Sequence, residues 1–324
     1  MHVISQYQEF FIAYLNSQAI IKEPKNLYEP IDYILGLGGK RMRPVLTLMT
    51  AEVFNTDYKK ALPAAMAVEV FHNFSLVHDD IMDDAPLRRG SETVHEKWNL
   101  NTGILSGDAM LILAYQYFEQ YEPNVFRDLA KLFSKTAIEV CEGQQWDVDF
   151  ETREDVTISE YLKMIEYKTA VLVAAAMKMG AIIAETSEEN ANLIYEFGLN
   201  LGLAFQLQDD YLDAFGDPET FGKQVGGDII ENKKTYLYLK AVAFSKKEEV
   251  EQLMHLFSVH PNDNSEKISS VKEIFNISGA SKATQEAIQA YTFKAFDTLK
   301  KMDISEDKKA MLSAFGEKLM GRKV

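Results

Sequence analysis

"LPAAMAVEVFHNFSLVHDDIMDDAPLRRG", residues 62 to 90, reads as one long helix running into a dense group of charges. Met66, Val70, Phe71, Phe74 and Val77 recur at steps of three and four, the spacing of a single buried helical face. Pro63 stands at the start, where its missing N–H does no harm. Asp79, Asp80, Asp83 and Asp84 then fall close together, and Arg88 and Arg89 follow. Carboxylates so near one another repel, and burial makes the repulsion worse. Something outside the chain should compensate that charge.

Helical periodicity continues on both sides of this stretch. It predicts helices over residues 1–18, 26–36, 44–54, 104–120, 124–147, 157–184, 188–215 and 228–244, with several more after 246. No alternating pattern predicts strands. Loops are expected at "KEPKN", "FNTDY", "SVHPNDNSEK" and the glycine-rich "FGDPETFGKQVGGD" of residues 215–228. No linker or repeat breaks the chain, so one all-α domain over residues 1–324, a large helical bundle, is the expected fold.

The totals narrow the function. The chain has 324 residues, 47% of them hydrophobic and 26% charged, the composition of a globular protein with a sizeable core. A net charge of −15 and the lack of a basic stripe argue against a nucleic-acid partner. Cys141 is the lone cysteine, which points to a reducing compartment, and we expect the cytoplasm. The first residues have neither the basic nor the continuous apolar region of a signal peptide. "TAVLVAAAMKMGAIIAE", residues 169–185, is interrupted by Lys178 and Gly180 and is read as a close-packed buried helix instead of a membrane span.

The stretch "LGLAFQLQDDYLDAFGD", residues 201–217, repeats the opening chemistry. Asp79, Asp80 and Asp83 form D-D-x-x-D, and so do Asp209, Asp210 and Asp213. Residues four apart on a helix share a face, so the outer two carboxylates of each motif can chelate a divalent cation. A donor set of two or three carboxylates suits Mg²⁺, which keeps waters and takes further ligands from phosphate oxygens. One acidic run on a helix is most often a solvated face. Two identical runs, each ending an apolar helix, favour a metal site.

If metals and phosphates meet there, cations should hold the rest of a polyphosphate. Arg88 and Arg89 follow the first motif. "GLGGKRMRP", residues 36–44, places Lys40 and Arg43 after a glycine turn; it is not a Walker A loop, because residue 34 is Ile and residue 41 is Arg. "EYKTA", residues 166–170, adds Lys168, and "GKQVGGDIIENKK" adds Lys223, Lys233 and Lys234. Each alone is an ordinary surface cation; together with the two aspartate motifs they form a set.

The segments "GGKRMRP", "LVHDDIMDDAPLRRG", "GDAML", "KTAVL" and "FQLQDDYLDAFGDPETFGKQVGGDIIENKKTYL" together resemble the trans-isoprenyl diphosphate synthases, the polyprenyl synthetase family, and its short-chain geranylgeranyl and farnesyl diphosphate synthases in particular. They lie in the family's order over roughly residues 36 to 240. The resemblance implies an isoprenoid-synthase bundle around a central cavity and a Mg²⁺-dependent head-to-tail condensation of isopentenyl diphosphate with an allylic diphosphate. It implies that Asp79, Asp83 and Asp209 ligate about three Mg²⁺, with Asp80 and Asp210 beside them. Arg88, Lys168, Lys223 and Lys233 are implied to stabilise the departing diphosphate, and Thr169 and Gln206 the allylic cation. Lys40, Arg43, His72 and Arg89 are implied to hold isopentenyl diphosphate, and the loop 216–227 to close over the site. His72 stands where some relatives carry Gln. The family is also expected to be homodimeric, with the apolar faces at 104–120 and 124–147 as candidate interfaces.

Product length should be set by side chains one or two turns before Asp79. Phe74 and Phe71 lie five and eight residues earlier, and Ser75, four earlier, is small. In the family an aromatic pair at four and five before limits the product to C15; one aromatic with a small neighbour resembles C20 synthases. The expectation is C15–C20, leaning to C20, against the plainer reading that both phenylalanines only pack the core. The alternatives are a class I terpene cyclase, whose second metal motif mixes Asn, Ser or Thr and Glu, and a non-catalytic regulatory subunit with eroded aspartates. A di-iron bundle built on Glu69–His72 and Glu92–His95, both E-x-x-H, would leave the aspartates and lysines unexplained.

Overall fold

The computed structural model describes residues 2–217 and 225–321. Lys223 and most of the expected loop 216–227 lie outside the described residues. Among the described residues the regular structure is helical except for one hairpin of two-residue strands, Leu87–Arg88 and Ser91–Glu92, in antiparallel register. That hairpin departs from the strand-free expectation. Two residues per strand are too few for a hydrophobic alternation to be visible in sequence.

Contacts group the chain into two compact units, residues 1–134 with 175–192, and residues 135–174 with 193–324. The first holds α1 (Ile4–Asn16), α2 (Lys25–Gly36), α3 (Met42–Val53), α4 (Leu62–Met82), the hairpin, α5 (Val94–Lys97) and α6 (Leu100–Phe118). Long α7 (Pro123–Thr152), α9 (Val171–Ile183) and α10 (Glu188–Phe215) run through both units. The second unit adds α8 (Ile158–Ile165), α11 (Gly227–Ile230), α12 (Tyr236–Phe244), α13 (Lys247–Leu256), α14 (Ser265–Ile277), α15 (Ala280–Lys301) and α16 (Glu306–Met320). The predicted helix over 157–184 is instead α8, a π turn at Glu166–Ala170, and α9. The predicted 228–244 is split into α11 and α12.

Helix α4 organises the first unit. Its spacing predicts one buried face, yet every residue from Ala64 to Phe71 is buried. Ala64, Ala65 and Ala67 let neighbouring helices close on the sides that periodicity leaves open. Burial all round leaves Glu69 no solvent, and Arg41, itself 5% exposed, answers it with a 2.5 Å ion pair. Removing one partner of such a pair costs about 3–5 kcal/mol, because the other charge is left unmatched. The apolar stretch 169–185 is the expected close-packed helix: a Cβ on Gly180 would stand 2.4 Å from the carbonyl oxygen of Thr47 in α3. No helix of the described residues is long and apolar enough to cross a membrane.

Candidate active site

The first aspartate motif lies where α4 ends. Asp79 and Asp80 occupy its last turn and Asp83 is the residue that caps it. Asp83 is exposed, Asp79 is partly exposed and Asp80 is buried. The Nε of Arg88 donates to both oxygens of Asp80 at 2.8 Å, and its Nη2 lies 2.6 Å from Oδ1. The same Nη2 is 3.8 Å from Asp79. Asp80 is thus the anchor of Arg88, while of the outer two carboxylates, one turn apart, Asp83 is exposed and Asp79 has one oxygen, Oδ1, buried. Burial pushes the Asp80 carboxyl above its ordinary range, against the opposing pull of Arg88.

Beside it, the glycine turn before α3 curls around Arg89. Gly38, Gly39 and Arg41 all have positive φ, at 81°, 123° and 48°. Arg89 Nη1 donates to the Gly38 carbonyl oxygen, and a Cβ at Gly39 would stand 2.9 Å from the Arg89 guanidinium carbon. Only glycine leaves room for that guanidinium and adopts that backbone without strain. Arg43 Nη1 lies 3.2 Å from His72 Nε2. Burial lowers the His72 pKa well below its usual value, and the charges of Arg43, Arg89, Arg88 and Arg41 lower it further. The imidazole is therefore neutral at pH 7, a hydrogen-bonding group among cations. Burial also brings the Arg43 guanidinium down to about 10, still charged at neutral pH. Lys40 is exposed on the same turn. The structure brings Arg43, His72 and Arg89 together with Lys40 close by in sequence, a cluster suited to a phosphate group.

The second motif lies near the end of α10. Asp210 is buried and accepts from the Tyr161 hydroxyl at Oδ2 and from Gln206 Nε2 at Oδ1, 3.0 Å. Thr169 Oγ1 donates to Gln206 Oε1 at 3.1 Å, so the amide oxygen of Gln206 is already engaged. Burial, then the like charges of Asp209 and Asp213, push Asp210 up to about 7, although the bonds from Tyr161 and Gln206 oppose this. Asp213 turns to a structural task. Its Oδ2 accepts from the Asp228 N–H at 2.9 Å and its carbonyl oxygen from the Gly226 N–H at 2.6 Å, which fixes the start of α11. Burial and the charges of Asp210 and Asp213 raise Asp228 to about 8, while Lys233 opposes them.

The π turn at Glu166–Ala170 carries Lys168 and Thr169. Such an extra residue per turn is a recurrent way to aim side chains at functional sites. Gly143 of α7 makes it possible: a Cβ there would lie 2.3 Å from the Lys168 backbone nitrogen. Lys168 Nζ is 2.5 Å from Asp147 Oδ2, and Lys233 Nζ is 2.8 Å from Glu231. Burial works against the Lys233 charge, but Glu231, Asp228 and Asp147 outweigh it and raise its pKa.

The product-length candidates sit on α4. Phe71 is fully buried, with Phe133 at 5.0 Å and Phe74 at 5.4 Å between ring centroids. Phe74 also meets His78 edge-on at 4.9 Å. Ser75 is half-buried, its hydroxyl donating to the His72 carbonyl oxygen. At about 100° per residue, Ser75 lies about 40° around the helix from Asp79 and Phe74 about 140°.

A family model described as polyprenyl synthetase matches residues 24–277. The chain belongs to the polyprenyl synthetase family. A crystal structure of a geranylgeranyl pyrophosphate synthase is 56% identical, covers the whole of both chains and superposes with a TM-score of 0.94. The geranylgeranyl pyrophosphate synthetase structure from Pyrococcus horikoshii is 31% identical, with a TM-score of 0.91 over 99% of this chain and 97% of that one. Among curated proteins, geranylgeranyl diphosphate synthase from Methanosarcina mazei is 44% identical over 68% of this chain and 69% of its own length.

This polyprenyl synthetase, a prenyltransferase of the all-α isoprenoid-synthase fold, has site residues that the motif reading did not single out. Tyr161 and Asp228 bond to the second motif, Asp147 pairs with Lys168, and the Arg41–Glu69 pair lies beside Arg89. Asp228 was open to detection, since its "GGD" follows the aspartate motif within one loop. Tyr161 carries no signal, because nothing in sequence ties it to Asp210. The E-x-x-H readings dissolve: Glu69 is taken by Arg41, His72 by Arg43, and Glu92 is exposed on the hairpin.

Proposed function

We propose that this polyprenyl synthetase condenses isopentenyl diphosphate with allylic diphosphates in a Mg²⁺-dependent reaction, building an all-trans product of C15–C20 with C20 favoured. The observation that carries this reading is the pair of helix-borne D-D-x-x-D motifs, each with its middle aspartate tied to the protein. Arg88 holds Asp80, and Tyr161 with Gln206 holds Asp210. Asp79, Asp83 and Asp209 are the hard-oxygen donors we assign to the ions, a carboxylate set that fits Mg²⁺. When bound, Mg²⁺ would neutralise diphosphate oxygens and ease loss of the leaving group.

The protein's own residues supply the rest. Arg88 and the lysines Lys168, Lys223 and Lys233 hold the diphosphate as charge develops on it. Arg43, Arg89, Lys40 and the neutral His72 bind isopentenyl diphosphate. Thr169 and Gln206, bonded to each other, turn the remaining lone pairs of their hydroxyl and amide oxygens to the allylic carbon, which stabilise positive charge without trapping it. Loop 216–227 is proposed to exclude water. The named geranylgeranyl diphosphate synthases among the relatives support C20, as does small Ser75 beside Phe74. We place the enzyme in the cytoplasm as a single-domain homodimer without nucleic-acid partners.

Replacing Asp79 or Asp209 with Ala should cut incorporation of labelled isopentenyl diphosphate by 10²-fold or more, about 3 kcal/mol of transition-state stabilisation. EDTA should abolish it in the wild type. Unimpaired turnover by the folded Asp79→Ala protein would refute the ligand assignment.

A further inference from the structure

A second cluster of metal-ligating side chains lies at the neck of the hairpin. Asp84, in the left-handed region at φ 49°, precedes the hairpin, and His95 and Glu96 of α5 follow it. One ligand atom from each of the three lies within 4.8 Å of the others. The decisive feature is His95. Its side chain is only 8% exposed, and neither ring nitrogen has a hydrogen-bond partner among the described residues. A buried imidazole normally places at least one nitrogen on a partner, and an orphan calls for a bound species. Its Nε2 is 3.7 Å from Glu96 Oε1, so the ring is aimed into the carboxylate pair.

Two hydrogen bonds from Thr93 bring the two sides of this neck together. Thr93 Oγ1 donates to the Ala85 carbonyl oxygen at 2.8 Å, and the Thr93 N–H to the Pro86 carbonyl oxygen at 3.2 Å. The bond pair ties the two residues after Asp84 to Thr93, two residues before His95.

We infer that Asp84, His95 and Glu96 bind one divalent transition-metal ion of the Zn²⁺ type, distinct from the Mg²⁺ of the aspartate motifs. An imidazole nitrogen with two carboxylates is a borderline donor set, which Zn²⁺, Co²⁺ or Ni²⁺ accepts and Mg²⁺ disfavours. Metal–ligand bonds of about 2.0–2.2 Å put donors of one ion roughly 3–4 Å apart. The remaining closure falls to Asp84 and Glu96, both exposed and able to rotate. The bound ion would clasp the neck of the hairpin that carries Arg88 and Arg89, and so steady the two arginines. This inference does not depend on the prenyl-transfer reading.

The test titrates Zn²⁺ into the full-length protein by calorimetry with Mg²⁺ in large excess, and Co²⁺ in parallel for its visible absorption. The wild type should take up one Zn²⁺ equivalent. Glu96→Gln and Asp84→Asn should each weaken uptake by about tenfold or more, and His95→Gln should abolish it. Glu96 is exposed, so Glu96→Gln decides the matter even if His95→Gln fails to fold. Asp79→Asn/Asp83→Asn should leave the binding intact; its loss there would assign the ion to the aspartate motif and overturn the inference. Equal Zn²⁺ uptake by wild type and Glu96→Gln, or none in the wild type, would overturn it too, leaving His95 to bind a water.

Discussion

His72 shows how one residue's surroundings change its chemistry. Burial and four neighbouring arginines hold its folded-state pKa well below the ordinary 6.5 of the unfolded chain. The unfolded state therefore binds the extra proton first. His72's contribution to stability is full above about pH 6.5 and is lost as pH falls below that, at a slope of at most about 1.4 kcal/mol per pH unit. His72→Gln keeps a hydrogen-bonding group and removes the titration. Urea midpoints at pH 7.5 and 5.5 should fall further in the wild type than in His72→Gln; parallel losses would contradict the assignment. The arginine cluster itself was half legible. "GGKRMRP" announced cations, but the sequence could not say that Arg41 turns inward to Glu69 while Arg43 meets His72. That division follows from the left-handed backbone at Arg41, which no residue type there advertises.

Helices were the most readable level, because periodicity reports burial directly. The span 188–215 was read to the residue, and the breaks were missed where geometry deviates without a compositional mark. The π turn is the clearest case: "EYKTA" is ordinary helical sequence, and its form depends on the absent side chain of Gly143 on another helix. Helix α4 carries the product-length prediction. Filling the small site at Ser75 with an aromatic ring should shorten the product toward C15, and Phe74→Ala should lengthen it, at a stability cost of about 3–5 kcal/mol for the buried ring. Chromatography of dephosphorylated products from both folded variants checks this. An unchanged length in Phe74→Ala would leave that ring as core packing, the role its contacts with Phe71 and His78 already explain.

For the whole molecule, the all-α class followed from pattern alone, while the partition into two compact units did not, since α7, α9 and α10 cross it without interruption. On α6, Leu105 and Ile112 are each 59% exposed and seven residues apart, hence on one stripe. Exposed apolar stripes mark association surfaces. Leu105→Asp should shift the proposed dimer toward monomer in sedimentation, and an unaltered mass would remove α6 from the proposed interface. The central claim, chain elongation to C20, is tested by incubating the purified protein with Mg²⁺, labelled isopentenyl diphosphate and, separately, C5, C10 and C15 allylic diphosphates. Every accepted primer should end in the same C20 product. No incorporation with any primer by folded protein, or accumulation at a length outside C15–C20, would contradict the account.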